Sequence, residues 1–273
     1  MFTLETIGSD PEFFLYKGNE AFPALQFTSG TKKVPEVIKP GFMLQKDNLL
    51  IEGNIPPSKN KDEFINNLSF LKDYIRSRIE VKNLRLVCTD SAKFKPRYLR
   101  IPEAHEFGCD PYRLAWQGGG TAVADNLSRI PERVAGFHIH LGYSWNGLPK
   151  VATHIIVAKA FDLFVTSPSR EIYMDEIRKK YYGRFGSYRS KPYGVECRSL
   201  GGHFLQDKYL SWIWDRIEMM ADYLSSLDLY SKAMQELRHG RLNTSEQMYV
   251  HTVGLIPESV YKRFKITEKA YAV

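Results

Sequence analysis

"AGFHIHLGY", Ala135 to Tyr143, decides how this chain is read. The run is apolar apart from two imidazoles, His138 and His140, flanked by Gly136 and Gly142. In a strand, residues two apart point to the same face, so the spacing predicts two histidines side by side on a sheet. A lone histidine in an apolar strand is usually a satisfied core residue. A pair beside small residues leaves ligand contact equally open, because glycine lets a ligand approach the backbone.

The same two-residue spacing recurs in three other polar stretches. In "GSDPEFF", Asp10 and Glu12 project to one face. They repel each other unless a cation sits between them, or unless the strand end is simply solvated. Pro11 lacks a ladder donor, which predicts an edge or irregular strand. In "DNLLIEGNIPP", Glu52 follows Leu49, Leu50 and Ile51 into a core, with Asn54 on its face and Asp47 at the strand entrance. Pro56-Pro57 is expected to stop that strand, and Ser58 to open a helix. In "RKKYYGRFGSYRSKPYGVECRSLGG", Glu196 and Arg198 share a face and follow Arg178, Arg184 and Arg189. That stretch reads either as a salt-bridged surface hairpin or as arginines for phosphate or carboxylate beside a metal-holding acid. Together the four stretches suggest one sheet face lined with hard oxygen ligands and a histidine, a set that suits Mg²⁺ or Mn²⁺. The chain has no GxxxxGK[ST] and no GxGxxG after a strand, so a nucleotide would be held through metals and arginines.

The remaining sequence supplies a frame for that face. The 273 residues are 43% hydrophobic, enough for one large folded core. No apolar run approaches the roughly 18–20 residues of a membrane span. No signal peptide is read at the N-terminus. Cys88, Cys109 and Cys197 are odd in number and scattered, which predicts a reducing, cytoplasmic setting. The net charge of +7 is ordinary solubility charge or attraction for a polyanion. Phe64, Leu68, Leu71, Ile75 and Ile79 form a helical stripe. "VATHIIVAKAFDLFV" predicts a buried helix that stops near Ser167-Pro168, and "REIYMDEIRKKYY" a charged, exposed one. The segment from about Phe94 to Ile130 reads as irregular, with Gln117–Gly120 a candidate lid. Strands broken by long helices in no βαβ rhythm predict an α+β fold with a largely antiparallel sheet.

The order of six blocks carries a family resemblance: "GSDPEFFL", "GTKKVP", "DNLLIEGNIPPS", "EFGCDP", "RVAGFHIHLG" and "RKKYYGRFGSYRSKPYGVECRSL". The chain resembles the glutamine synthetase-like carboxylate–amine ligases, most closely the type 2 branch often encoded by bacteriophages. The resemblance implies one ligase domain over 1–273, with 203–273 its helical C-terminal part. It implies a curved, largely antiparallel sheet with helices on the convex face. It further implies ATP and two or three Mg²⁺ or Mn²⁺ ions, and an amide formed through an acyl phosphate from carboxylate and amine substrates. Asp10, Glu12, Glu52, His138 and Glu196 map to metal ligands. His140, Arg198, Arg178 and Lys32 map to the nucleotide, and Arg198, Arg189 and Arg184 to catalysis. The family setting implies no membrane partner and is compatible with a homo-oligomer. A phosphotransferase of the same fold is the runner-up, and a basic nucleic-acid-binding protein the third reading. Two departures stand out: Asp-Pro-Glu replaces the paired glutamates of glutamine synthetases, and Gly136-Phe137 stands where a second glycine is expected. If the acids are metal ligands, Glu52→Gln and Glu196→Gln should each abolish Mg-ATP binding by calorimetry. Both should leave the melting temperature of the metal-free protein unchanged or higher.

Overall fold

The computed structural model describes residues 1–105, 111–122, 130–146 and 150–226. Alternation along the longest strand organises it. In β1 (Phe2–Lys17), Ile7, Phe13 and Leu15 enter the main core, while Gly8, Asp10 and Glu12 take the other face. The strands follow in chain order: β2 (Glu20–Phe22), β3 (Glu36–Lys39), β4 (Phe42–Asp47) and β5 (Leu50–Ser58). Helix α1 (Lys61–Ile79) precedes β6 (Arg85–Val87), β7 (Ser91–Lys93), β8 (Tyr112–Leu114), β9 (Gly120–Ala122), β10 (Glu132–Val134) and β11 (Phe137–Trp145). Helices α2 (Lys150–Phe161), α3 (Ser167–Ile172) and α4 (Glu176–Tyr181) lead to β12 (Ser187–Lys191), β13 (Gly194–Cys197) and α5 (Asp207–Ser226).

Among the described residues an antiparallel sheet runs β3-β4-β5-β1-β11-β13-β12-β8-β9, with β2 and β6 also paired to β1. A separate pair, β7 and β10, forms a second small sheet. Helices α1, α2 and α5 pack against strands β5, β13 and β1. The protein is therefore α+β, as the mixed pattern predicts.

The helix-facing side is apolar by strict alternation: Ile51 and Ile55 from β5, Phe137, Ile139 and Leu141 from β11, Val195 and Cys197 from β13. The α1 stripe from Phe64 to Ile79 is buried as expected. A Cβ on Gly53 would meet Leu71 at 2.6 Å, so the glycine lets α1 lie close on β5. The cap of α1 is Asn60, not Ser58: its side chain accepts from the Glu63 N–H at 2.9 Å, and Glu63 accepts from the Lys59 N–H at 2.7 Å. Buried Lys72 ties α1 to the start of α5 through Asp207 and the Leu205 carbonyl.

Two expectations about proline fail and one holds in part, for reasons the packing shows. Pro11 is not at an edge, since β1 lies between β5 and β11, but the strand is irregular: its register shifts between Ile7 and Ser9 against β5 and between Leu4 and Thr6 against β11. Pro56-Pro57 does not end β5; the register shifts by one residue there, and this bulge absorbs the missing donors. Pro168 does not stop the helix after α2. The chain widens into a π-turn over Asp162–Thr166 and continues as α3. Pro168 cannot donate to the Phe164 carbonyl, and Arg216 of α5 donates to it at 2.5 Å.

That continuous helix, Lys150–Ile172, is by length and composition apolar enough to cross a membrane, contrary to the sequence reading. It is 89% buried within the protein over the relevant window, as suits a core helix. The exposed helix predicted over Arg170–Tyr182 splits at Tyr173–Asp175, and Arg178 within it is buried. The segment read as irregular contains the β8–β9 hairpin, whose turn holds Gly118 and Gly119 at positive φ. Cys109, most of the "EFGCDP" block and the chain beyond Ser226 lie outside the described residues.

Phe64 links α1 to two other elements of the core, with its ring 6.4 Å from Phe137 of β11 and 5.6 Å from Trp214 of α5. Phe64→Ala should cost about 3–5 kcal/mol. The urea midpoint should fall while the slope of the transition stays unchanged.

Candidate functional site

The face away from the helices collects the polar side chains. Register sets their partners: Glu12 lies opposite Glu52, Asp10 opposite His138, and His140 opposite Glu196, which in turn faces Arg189. Two groups of donor atoms result, Glu12–Glu52–His138 and Asp10–His140–Glu196, the atoms of each within 4.8 Å of one another.

The first group is buried throughout. Glu12 accepts from the Gly136 N–H at 2.5 Å, and Glu52 from the Gln45 amide at 2.6 Å. His138 Nε2 points at Glu12 Oε1 from 3.7 Å, and this buried nitrogen has no hydrogen-bond partner among the described residues. Burial pushes the Glu12 carboxyl up to about 7; the Asp47 charge adds to this, while the Gly136 N–H and Arg198 oppose it. Burial likewise raises Glu52 well above the carboxylate range, helped by Asp47, Glu12 and Asp10. Burial and the Arg198 charge hold His138 well below the usual imidazole value, so its ring is neutral. A neutral, unpartnered Nε2 between two crowded carboxylates matches a divalent cation better than any group the fold itself supplies. An ion on Nε2 requires the ring proton on Nδ1. Arg198 Nη1, which can only donate, lies 3.5 Å from that atom and Glu196 Oε1 lies 3.8 Å from it, so ion binding turns Nδ1 from the arginine to the carboxylate.

The second group is wetter and more charged. His140 Nε2 lies 2.9 Å from Asp10 Oδ2, and its Nδ1 is 2.5 Å from the Tyr193 hydroxyl. Asn54 donates to Asp10. Glu196 is almost wholly buried, at 1% exposure, and has cations around it. Arg198 donates to Oε1, Arg189 Nη1 lies 3.6 Å from the same oxygen, and Lys191 Nζ lies 2.8 Å from Oε2. Burial opposes the ionised form of Glu196, but the Arg198 charge, with Lys191 adding to it, holds it well below the carboxylate range. The face is thus acid-rich over β4, β5 and β1 and base-rich over β12 and β13.

Three expected contacts stand apart from these groups. Arg178, expected at the nucleotide, is a buried clamp whose guanidinium donates to the Ala135, Arg198 and Leu200 carbonyls. Arg184 is exposed, and its carbonyl accepts from Ser187. Lys32 is exposed, with Nζ 3.7 Å from Asp47 Oδ1. Conversely, Tyr182, Tyr193, Lys191 and Gln45 reach the site without having been singled out in the sequence. Tyr182 accepts from Arg198, and its ring lies 6.2 Å from that of His138. Gly136 serves sterically: a Cβ there would meet His138 Nε2 at 2.5 Å.

No protein-family model matches the chain, and no curated protein matches it. Among solved structures it is similar to one described as a novel glutamine synthase homolog. The superposition has a TM-score of 0.30 and 14% identity, covering 98% of this chain and 71% of that one. An overlap this loose transfers no residue's role.

The electrostatics revise the expectation for glutamine variants. Glu12 and Glu52 bind protons more tightly in the folded than in the unfolded state. Without metal they oppose folding as pH rises from about 4.5 towards 7 and beyond. Glu52→Gln should therefore raise the melting temperature in chelator at pH 8. Glu196 has the opposite sign: its loss leaves buried Arg198 without its counter-charge, so Glu196→Gln should lower it. Thermal melts of the two variants beside wild type check both directions.

Proposed function

We propose that this protein is an ATP- and divalent-metal-dependent ligase that joins a carboxylate to an amine through an acyl phosphate. The observation that carries the reading is the meeting, on one sheet face, of two carboxylate–histidine donor groups with Arg198, Arg189 and Lys191. A purely structural face gains nothing from opposing Glu12 to Glu52 in a buried pair. The six-block resemblance to glutamine synthetase-like ligases supports the same reading.

Glu12, Glu52 and His138 would hold one ion, and Asp10, His140 and Glu196 another. Such ions supply Lewis-acid neutralisation of the phosphate oxygens. The chain's own residues do the rest. Arg189 and Lys191, on the accessible side of Glu196, bind anionic oxygens of nucleotide or substrate. Arg198 is fixed by Tyr182 and Glu196, so its charge is oriented before substrate arrives and needs little reorganisation. In the first step a substrate carboxylate oxygen attacks the γ-phosphorus and ADP leaves. In the second the amine nitrogen attacks the acyl carbon, phosphate leaves and the nitrogen gives up a proton. Burial of Glu12, Glu52 and His138 keeps bulk water from one side of the reacting groups, which protects the acyl phosphate from hydrolysis.

Incubation with ATP, Mg²⁺, hydroxylamine and a panel of carboxylates should yield a hydroxamate with one ADP per hydroxamate. Glu52→Gln should lower the rate by at least about a hundredfold, the scale on which loss of a transition-state electrostatic contact is felt. ADP with a stable phosphorylated product and no hydroxamate would instead identify a phosphotransferase. Folded protein that binds Mg-ATP but gives neither product would remove the ligase reading.

A further inference from the structure

The two donor groups differ in what already holds them. Around Glu12 and Glu52 the near donors are neutral, the Gly136 N–H and the Gln45 amide, and neither repels an incoming cation. Around Glu196 the near donors are charged. Both arginines lie against Oε1, and Arg198 is buried and held on its far side by Tyr182. The other oxygen, Oε2, is the one facing an ammonium: Lys191 Nζ is 2.8 Å away, yet among the described residues Oε2 receives no directional hydrogen bond. Lys191 closes the β12–β13 hairpin opposite Gly194 and is 29% exposed. Its charge is a point on a flexible stem, unlike the fixed fork of arginine. The ammonium and a divalent ion would compete for one oxygen, and like charges at that separation repel strongly away from bulk water.

We propose that Lys191 closes the Asp10–His140–Glu196 group to a divalent ion until an anion draws its ammonium off Glu196 Oε2. Ions then load in a fixed order, with Glu12–Glu52–His138 filled first. The anion is of the phosphate class, since it must take up the ammonium beside Arg189. The inference rests on the metal-face reading of the site and adds to it a residue that couples metal loading to anion binding. The coupling has a use in any reaction of a metal-bound phosphate, because the second cation arrives only with the charge it neutralises.

The test counts Mn²⁺ bound to chelator-stripped, full-length protein by the loss of the free-ion electron paramagnetic resonance signal. Wild type should bind one ion per chain in the absence of any anion, and Lys191→Met two. Lys191→Gln, which keeps a polar stem, should also bind two, and Lys191→Arg one. Adding Asp10→Asn to Lys191→Met should return the count to one. Inorganic phosphate should raise the wild-type count towards two and leave Lys191→Met unchanged. Two ions on anion-free wild type, one ion on folded Lys191→Met and Lys191→Gln, or no effect of phosphate on wild type would overturn the proposal. No bound ion on any variant would overturn both it and the metal face. A change from one ion to two without hydroxamate formation would leave the role of Lys191 standing and remove the ligase.

Discussion

Two carboxylates face each other across adjacent central strands, and the rest of the site is arranged around that conflict. Glu12 and Glu52 are register partners of β1 and β5, buried, and raised in proton affinity by burial and by Asp47. A sheet that placed them there for stability alone would be poorly served, since like charges directly opposite destabilise a strand pair. The neighbours soften the conflict without ending it. One backbone N–H and one amide take a lone pair each, and a neutral imidazole adds a nitrogen that no described residue satisfies.

The second half of the face resolves its own charge internally. Glu196 is ionised, surrounded by cations and nearly inaccessible, so it needs no ion to be stable. One sheet thus carries a region poor in positive charge beside a region rich in it, separated by the width of β11. The boundary runs through His138 and His140. One ring looks towards Glu12 and Glu196, and the other bridges Asp10 and Tyr193. A substrate with a polyanionic end and an electrophilic carbon is matched by such a gradient along the strands.

Much of this was legible because the side-chain period of a strand is local. The spacing of Asp10 with Glu12, His138 with His140, and Glu196 with Arg198 places each pair on a face with no knowledge of the fold. The division into two donor groups was not legible, because it depends on register between strands far apart in sequence. Glu12 meets Glu52 and His138 only once β1 lies between β5 and β11. Lys191 and Tyr193 come to Glu196 and His140 through a hairpin turn, and their residue types give no hint of it. Arg178 misled for a related reason. An arginine in a basic run looks like a phosphate ligand, and nothing local says that three main-chain carbonyls converge on it. The prolines misled because a bulge and a π-turn, both products of packing, removed the need for the hydrogen bonds they cannot make.

Gly136 shows how tightly the pieces are locked. The chain leaves the small β7–β10 sheet at Val134 and enters the large one at Phe137, and the exchange takes place across Ala135 and Gly136. At that crossing Glu12 donates its N–H to the Gly136 carbonyl and accepts from the Gly136 N–H with its carboxylate. The His138 ring fills the volume that a side chain at 136 would need. Strand exchange and placement of the buried imidazole are therefore one event. Neither can slide along the sequence by a residue without displacing the other, and a carboxylate from the neighbouring strand holds both in register.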